Sequence, residues 1–193
     1  MTEQPAKIRL FLAVTPPPQE LLRVQRATLA LRDEFPAARW IPPENQHVTI
    51  KFLGAVEEPR MQSLVDACRG LAPGLASGPA TMSGLGVFPA ARRATVLWAG
   101  IVDASGGLAA LEGSVAARCA ELGWPREKRP FSPHLTLARF RAPTRVDPTT
   151  LSAGAIEGQE WPIDRFQLYR SRLSPKGARY EVLHEFVLGG RST

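Results

Sequence analysis

The 193-residue sequence contains only two cysteines, Cys68 and Cys119, which lie far apart in segments with a helical pattern. Two thiols so placed provide no disulfide framework, no zinc knuckle and no redox pair, so we expect a cytoplasmic protein in a reducing compartment. No apolar run approaches the roughly 18–20 residues that cross a bilayer, and the N-terminus lacks the pattern of a secretory signal. We therefore expect neither a membrane-bound nor a secreted nor a fibrous protein.

Acidic residues are the minority charge, with 18 Asp and Glu against 24 Lys and Arg, which gives a net charge of +6. This excess favours an anionic partner but is far below that of a histone-like polycation. Eleven of the basic residues and one acidic residue fall in two windows, 126–145 and 165–179. Either these windows form a basic surface that the anionic groups of a partner approach, or they are a solvated arginine-rich face.

Hydrophobic residues make up 44% of the chain, enough for a buried core, and the 18 prolines are scattered as turn signals. Apolar periodicity predicts helices at 20–35, 57–71 and 104–123. The same reasoning predicts strands at 7–15, 46–53, 80–88, 94–102, 135–139, 163–172 and 179–188. Most links between strands are too short for parallel crossovers, so we predict an α+β fold with a mainly antiparallel sheet, in one domain spanning residues 1–193.

Two of the three histidines begin the same four-residue pattern, His47-Val48-Thr49-Ile50 and His134-Leu135-Thr136-Leu137. Side chains alternate along a strand, so each motif presents its histidine and threonine on one face. Val48, Ile50 and Phe52 are then expected in the core, as are Leu135 and Leu137. A proline-containing approach precedes each motif, which indicates a weak structural duplication into two halves.

A pair of imidazoles and a pair of hydroxyls suit phosphodiester chemistry without a metal ion. One imidazole can act as acid and the other as base, while threonine hydroxyls donate hydrogen bonds to phosphate oxygens. Lys51, Arg139 and Arg141 are the nearby cations that could offset developing charge. Neither motif contains an acidic residue or a third metal ligand, so no metal and no cofactor are expected. The competing interpretation is that each histidine is an ordinary strand residue, which is how we interpret His184.

At these motifs the sequence resembles the two-histidine phosphoesterase superfamily, and within it the bacterial and archaeal 2′–5′ RNA ligase family. The likeness runs from about residue 8 to residue 188. The matching stretches are RLFLA at 9–13, RWIPPEN at 39–45, KFLG at 51–54, GLGVFP at 84–89, VLWAG at 96–100, RPFSPHLTLAR at 129–139, SRLSP at 171–175 and GARY at 177–180.

The resemblance implies two similar α+β lobes around a central cleft, each lobe contributing one HxTx motif. It implies that RNA 2′,3′-cyclic phosphate ends are opened to 2′-phosphates, with His47 as general acid and His134 as general base. Thr49 and Thr136 would hold the phosphate, and Arg139 would help to bind it. Arg139 lies five residues after His134, so strict alternation sends it to the wrong face unless a bulge re-aims it.

The expected partner is RNA with a 2′,3′-cyclic phosphate end, with tRNA fragments among the candidate substrates, and the expected state is a monomer. One alternative is a related enzyme acting on another cyclic phosphate or on a 2′–5′ linked oligonucleotide. The other is a non-catalytic module that binds RNA ends or tRNA. Trp40 and Phe131, just upstream of the motifs, are candidates either for stacking on a base or for core packing.

Overall fold

The computed structural model describes residues 7–76, 78–153, 156, 158–174 and 177–189. Pro175 of the SRLSP stretch and Lys176 of the second basic window lie outside these residues. The helices are α1 Pro18–Ala27, α2 Leu29–Glu34, α3 Glu58–Leu71, α4 Gly107–Glu121 and α5 Pro148–Ala153. The strands are β1 Lys7–Val14, β2 Arg39–Trp40, β3 Val48–Glu57, β4 Gly78–Phe88, β5 Ala94–Val102, β6 His134–Thr144, β7 Trp161–Ile163, β8 Arg165–Ser174 and β9 Gly177–Val187.

The strands form one sheet in the order β7-β4-β5-β6-β3-β1-β8-β9, with β2 paired to β6. Every pairing between these strands is antiparallel, which confirms the predicted α+β class. The sheet has two halves of four strands. We call β3, β1, β8 and β9 the first half, and β6, β5, β4 and β7 the second half. They meet where Val48 of β3 lies opposite Leu135 of β6, and β2 pairs further along the same edge of β6.

The helices cover one face of this sheet and bury the main core against it. Alternate residues of β1 (Leu10, Leu12 and Val14) point into that core. The residues between them, Phe11 and Ala13, are also buried, but they form a second small cluster on the opposite face with Tyr169 and Tyr180. A strand buried on both faces reads as a continuous apolar run, which is how the sequence of β1 reads. In the part of the chain that the structure describes, no helix is long and apolar enough to cross a membrane.

Several element boundaries differ from the sequence prediction. The helix expected at 20–35 is two helices, because Thr28 interrupts it and donates its hydroxyl to the carbonyl of Val24 at 2.8 Å. Strand β3 continues past Gly54, which adopts a φ of 73°, and strand β6 runs on to Thr144. The short elements β2, α5 and β7 carry too few residues for a periodic signal and were not predicted.

Candidate active site at the junction of the two halves

The two histidine motifs lie next to each other where the halves of the sheet meet. Val48 and Leu135, the second residues of the motifs, are antiparallel partners. In that register His47 lies across from Thr136, and Thr49 lies across from His134, all on the face away from the helices. The structure therefore brings together the two imidazoles and two hydroxyls that were 87 positions apart in the sequence.

Both imidazoles are held in the same way. His47 Nδ1 lies 2.9 Å from the carbonyl oxygen of Asn45, and His134 Nδ1 lies 2.7 Å from that of Ser132. In each case Nδ1–H donates to a carbonyl two residues upstream, so the neutral ring carries its free lone pair on Nε2. Two rings fixed in this tautomer can each accept or deliver a proton through Nε2.

His47 sits in an aromatic enclosure built by the first half. Its ring centroid lies 4.6 Å from that of Phe11, 5.1 Å from Tyr180 and 6.1 Å from Tyr169. The Tyr169 hydroxyl is fixed by Thr15 at 2.6 Å. The pKa of His47 is lowered to about 4, chiefly by burial among these rings and to a smaller extent by the neighbouring Arg139 and His134. The bond from Nδ1 to Asn45 opposes the decrease without cancelling it.

His134 has fewer aromatic neighbours, which come from the second half. Phe88 meets its ring edge-on at 5.0 Å, and Trp98 lies 6.2 Å away. Trp98 occupies the space above Gly86, where an added Cβ would lie 2.1 Å from the indole ring. The Trp98 indole nitrogen is buried and has no hydrogen-bond partner among the residues described.

A bulge in β3 corrects two of the sequence predictions. The pairing with β1 passes from Ala13–Thr49 to Leu12–Lys51 and skips Ile50. This extra residue turns Lys51 to the helix side, where its ammonium donates to the carbonyl of Pro125 and to the Glu127 carboxylate at 3.1 Å. The prediction that Lys51 is a cation of the cleft is therefore wrong.

The same bulge turns Phe52 out of the core. Phe52 pairs with Phe11 on the open face of the sheet, and it is 63% exposed. The prediction that Phe52 is a core residue assumes strict alternation, and the inserted Ile50 reverses the alternation until a second register shift at Leu53 restores it.

A matching bulge in β6 brings Arg139 to the site. The pairing with β5 passes from Trp98–Thr136 to Leu97–Ala138 and skips Leu137. Arg139 thereby shares the face of Thr136, as its expected contact with phosphate requires, and its charge acts on His47. Directly across from Arg139 in β2 lies Arg39. Arg39 begins the RWIPPEN stretch, but no local pattern in the sequence marks it as a site residue.

The remaining candidates lie outside this cluster or on its border. Trp40 packs against the core, and Arg32 stacks over its ring at 5.0 Å. Phe131 also packs against the core, and His184 is a partly exposed residue of β9. Arg141 is exposed further along β6. Across the described ranges, no group of three or more His, Cys, Asp or Glu residues is arranged to hold a metal ion.

Comparison with known families identifies this arrangement. The model of the 2'-5' RNA ligase superfamily matches residues 14–174, which include both histidine motifs. The chain belongs to the 2'-5' RNA ligase superfamily. This confirms the resemblance inferred from the motifs and their flanking stretches.

Named members of the superfamily match along nearly the whole chain. The RNA 2',3'-cyclic phosphodiesterase of Thermus thermophilus is 36% identical over 189 residues, 95% of this chain and 91% of that protein. The RNA 2',3'-cyclic phosphodiesterase of Methanothermobacter thermautotrophicus is 29% identical over 185 residues, 94% of this chain and 100% of its own length. A crystal structure from Thermus thermophilus superposes with a TM-score of 0.82 at 33% identity, covering 95% of this chain and 99% of that one. The fold and the sequence thus lead to the same superfamily.

Proposed function

We propose that the protein is an RNA 2′,3′-cyclic phosphodiesterase that opens a terminal 2′,3′-cyclic phosphate to a 2′-phosphomonoester by acid–base catalysis without a metal ion. Relatives with this name cover nearly the whole chain. The observation that carries the mechanism is the pair of histidines, each fixed through Nδ1, on one face of the sheet junction. That pair supplies both an acid and a base to one phosphate.

The proposed reaction is an in-line displacement at phosphorus. His134 Nε2 accepts a proton from water as the water oxygen bonds to phosphorus. His47 Nε2 gives a proton to the 3′ oxygen as the bond between that oxygen and phosphorus breaks. Thr49 and Thr136 donate hydrogen bonds to the non-bridging oxygens, and Arg139 neutralises charge that develops on them. The product keeps its phosphate on the 2′ oxygen.

His47 must carry a proton to act as the acid. With a pKa of about 4 it is neutral near pH 7 in the unliganded protein. A phosphate anion beside the ring favours the imidazolium, because an opposite charge stabilises the charged form. In this proposal, protonation of His47 therefore accompanies substrate binding. The charge of Arg139, which lowers the pKa of His47 in the unliganded protein, is then offset by the bound phosphate.

The test uses a short RNA that ends in a 2′,3′-cyclic phosphate, incubated with the protein in the presence of a chelator. We expect a 2′-phosphate product from the unaltered protein and a decrease in kcat of roughly 10²–10⁴-fold in both His47→Ala and His134→Ala. Full activity in either variant, or a requirement for added metal, contradicts the proposal. Salt-dependent RNA binding without turnover, unaffected by both substitutions, would indicate the non-catalytic module instead.

We propose that residues 1–193 act as one two-lobed domain, a monomer of the cytoplasm, on RNA fragments that include cleaved tRNA. The two buried, unpaired cysteines support a reducing compartment. Light scattering of the purified protein tests the monomer, because a dimer would have twice the 21.0 kDa mass of one chain.

A further inference from the structure

A groove with a volume of about 580 Å³ lies beside the histidine pair, between the first half of the sheet and β2. Its lining includes Asn45, whose carbonyl holds His47, and Tyr180, whose ring lies 5.1 Å from the His47 ring. Three further side chains, Arg9, Arg39 and Phe52, also line this groove. We call these three side chains and the space between them the arginine groove. One end of it therefore opens at the proposed catalytic centre.

The positive charge of this groove favours the binding of an anion. Arg39 and Arg139 lie directly opposite each other across β2 and β6, and both line the groove together with Arg9. Like charges in opposed positions of a sheet repel each other. None of the three arginines has an ion-pair partner among the residues that the structure describes. An anion between the guanidinium groups removes this repulsion and accepts hydrogen bonds from them.

The backbone around Arg39 is built to leave it room. Gly177, at the start of β9, has a φ of 130°, a conformation that side chains with a Cβ rarely adopt. A Cβ added there would lie 2.5 Å from Arg39 Nη2. The start of β9 is also bonded to the segment just before the first motif, since Asn45 Nδ2 donates to the carbonyl of Ala178 at 3.0 Å. The start of β9 therefore lies against Arg39 and is bonded to the residue whose carbonyl holds His47.

Phe52 adds an exposed aromatic face to the same groove. The bulge at Ile50 turns its ring outward, where it is 63% exposed and lies 6.3 Å from the ring of Phe11. An aromatic ring beside arginines is the combination that binds single-stranded nucleic acid, because the ring stacks on a base while the cations hold the backbone. An anionic peptide would use the arginines but would leave the ring without a partner.

We propose that the arginine groove holds the penultimate nucleotide of the RNA, so that the enzyme selects a strand over a mononucleotide. This inference rests on the proposed function. Arg9 and Arg39 bind the phosphodiester that joins the last two nucleotides, and Phe52 stacks on the penultimate base. Arg139, at the border, contacts the terminal phosphate. The substrate class is therefore an oligoribonucleotide 2′,3′-cyclic phosphate with at least one phosphodiester upstream of the reacting end.

The experiment compares kcat/KM for a dinucleotide that ends in a 2′,3′-cyclic phosphate with kcat/KM for the corresponding nucleoside 2′,3′-cyclic phosphate. We expect the unaltered protein to prefer the dinucleotide by roughly tenfold or more. Arg39→Gln and Arg9→Gln should each reduce that ratio severalfold, and Phe52→Leu should reduce it by roughly fivefold or more through loss of stacking. Arg69→Gln, on the exposed face of α3, is the matched control and should leave the ratio unchanged.

Two results separate this inference from the proposed function. Turnover of both substrates with a ratio that no groove variant alters overturns the inference and leaves the proposed function standing. If neither substrate is turned over, the proposed function fails, and the inference is then decided by calorimetric binding of the dinucleotide 2′-phosphate and the nucleoside 2′-phosphate. Tighter binding of the dinucleotide that Arg39→Gln abolishes supports the groove. Equal binding of the two, or stronger competition by an acidic peptide than by the dinucleotide, overturns it.

Discussion

The two halves of the sheet share one backbone design and differ in the side chains placed on it. Each half presents a histidine and a threonine on one face and then inserts a bulge at the fourth motif residue, Ile50 or Leu137. The residue five positions after each histidine thereby returns to that face. In the first half this residue is Phe52, and in the second it is Arg139. A duplicated frame thus provides two equivalent positions, of which one holds an aromatic ring and the other a charge.

The histidine environments differ in the same manner. His47 is enclosed by Phe11, Tyr169 and Tyr180, whereas His134 has Phe88 and Trp98 nearby. Burial dominates the lowering of the His47 pKa to about 4. Two imidazoles with the same Nδ1 bond to a carbonyl thus stand in different surroundings.

The largest expected effect comes from removing either histidine. His47→Asn and His134→Asn should each lower kcat by roughly 10²–10⁴-fold, because each removes one proton-transfer group. The double variant should be little slower than the slower single variant, since the two rings act as a unit. Steady-state rates on a cyclic-phosphate RNA measure this. If the fold-decrease in kcat of the double variant equals the product of the two single decreases, the two histidines act independently and not as a unit.

The next effect concerns the lowered pKa of His47 in the first half. The folded pKa of His47 is about 4, below the value of about 6.5 in an unfolded chain, so the unfolded state binds more protons between these pH values. The free energy of unfolding should therefore decrease as the pH falls from about 6.5 to about 4, and this residue accounts for roughly 3 kcal/mol of that decrease. Urea unfolding at pH 4 and pH 7 measures the decrease, and His47→Asn should make it smaller.

The enclosure itself can be opened to check this cause. Tyr180→Ala admits water to the His47 ring, and the pKa measured by NMR should then rise toward 6.5. A nucleoside 2′-phosphate should raise it in the unaltered protein as well. A pKa near 6.5 for His47 in the unaltered, unliganded protein would show that the enclosure does not lower it.

A smaller effect distinguishes the two equivalent positions. Arg139→Gln should lower kcat/KM on a nucleoside 2′,3′-cyclic phosphate by roughly 10–100-fold, because hydrogen bonds to charged groups contribute about 1.5–3 kcal/mol. Phe52→Leu changes the equivalent residue of the other half, and its effect on the same substrate should be smaller than that of Arg139→Gln. Equal decreases in both variants would mean that the two positions serve the same end of the substrate.

The smallest effect is expected at Lys51, which the bulge turns away from the cleft. Lys51→Met keeps most of the side-chain volume, so the free energy of unfolding should change by less than about 1.5 kcal/mol, whereas Lys51→Ala leaves a cavity and should cost about 2–4 kcal/mol. Denaturant unfolding measures both. Loss of turnover in a folded Lys51→Met protein would show that Lys51 faces the cleft, which contradicts the register of β3 with β1.

Most of the fold followed from local pattern. Periodicity located the principal strands and helices, and alternation placed His47 with Thr49 and His134 with Thr136 on shared faces. Errors occurred where one residue breaks the pattern. The inserted Ile50 reversed the sides of Lys51 and Phe52, and Thr28 divided a helix. Such breaks depend on how a strand pairs with its neighbour, which a single segment does not encode.

The sequence by itself determined which chemical groups are available, two imidazoles and two hydroxyls at matched spacing, because the period of a strand is a local property. Only the tertiary structure decided what those groups become. Pairing of β3 with β6 brought the motifs together, and packing of Phe11, Tyr169 and Tyr180 lowered the pKa of His47. Two bulges then set Phe52 and Arg139 beside the site. Each of these outcomes is a contact between distant segments, and burial, charge and register arise from such contacts.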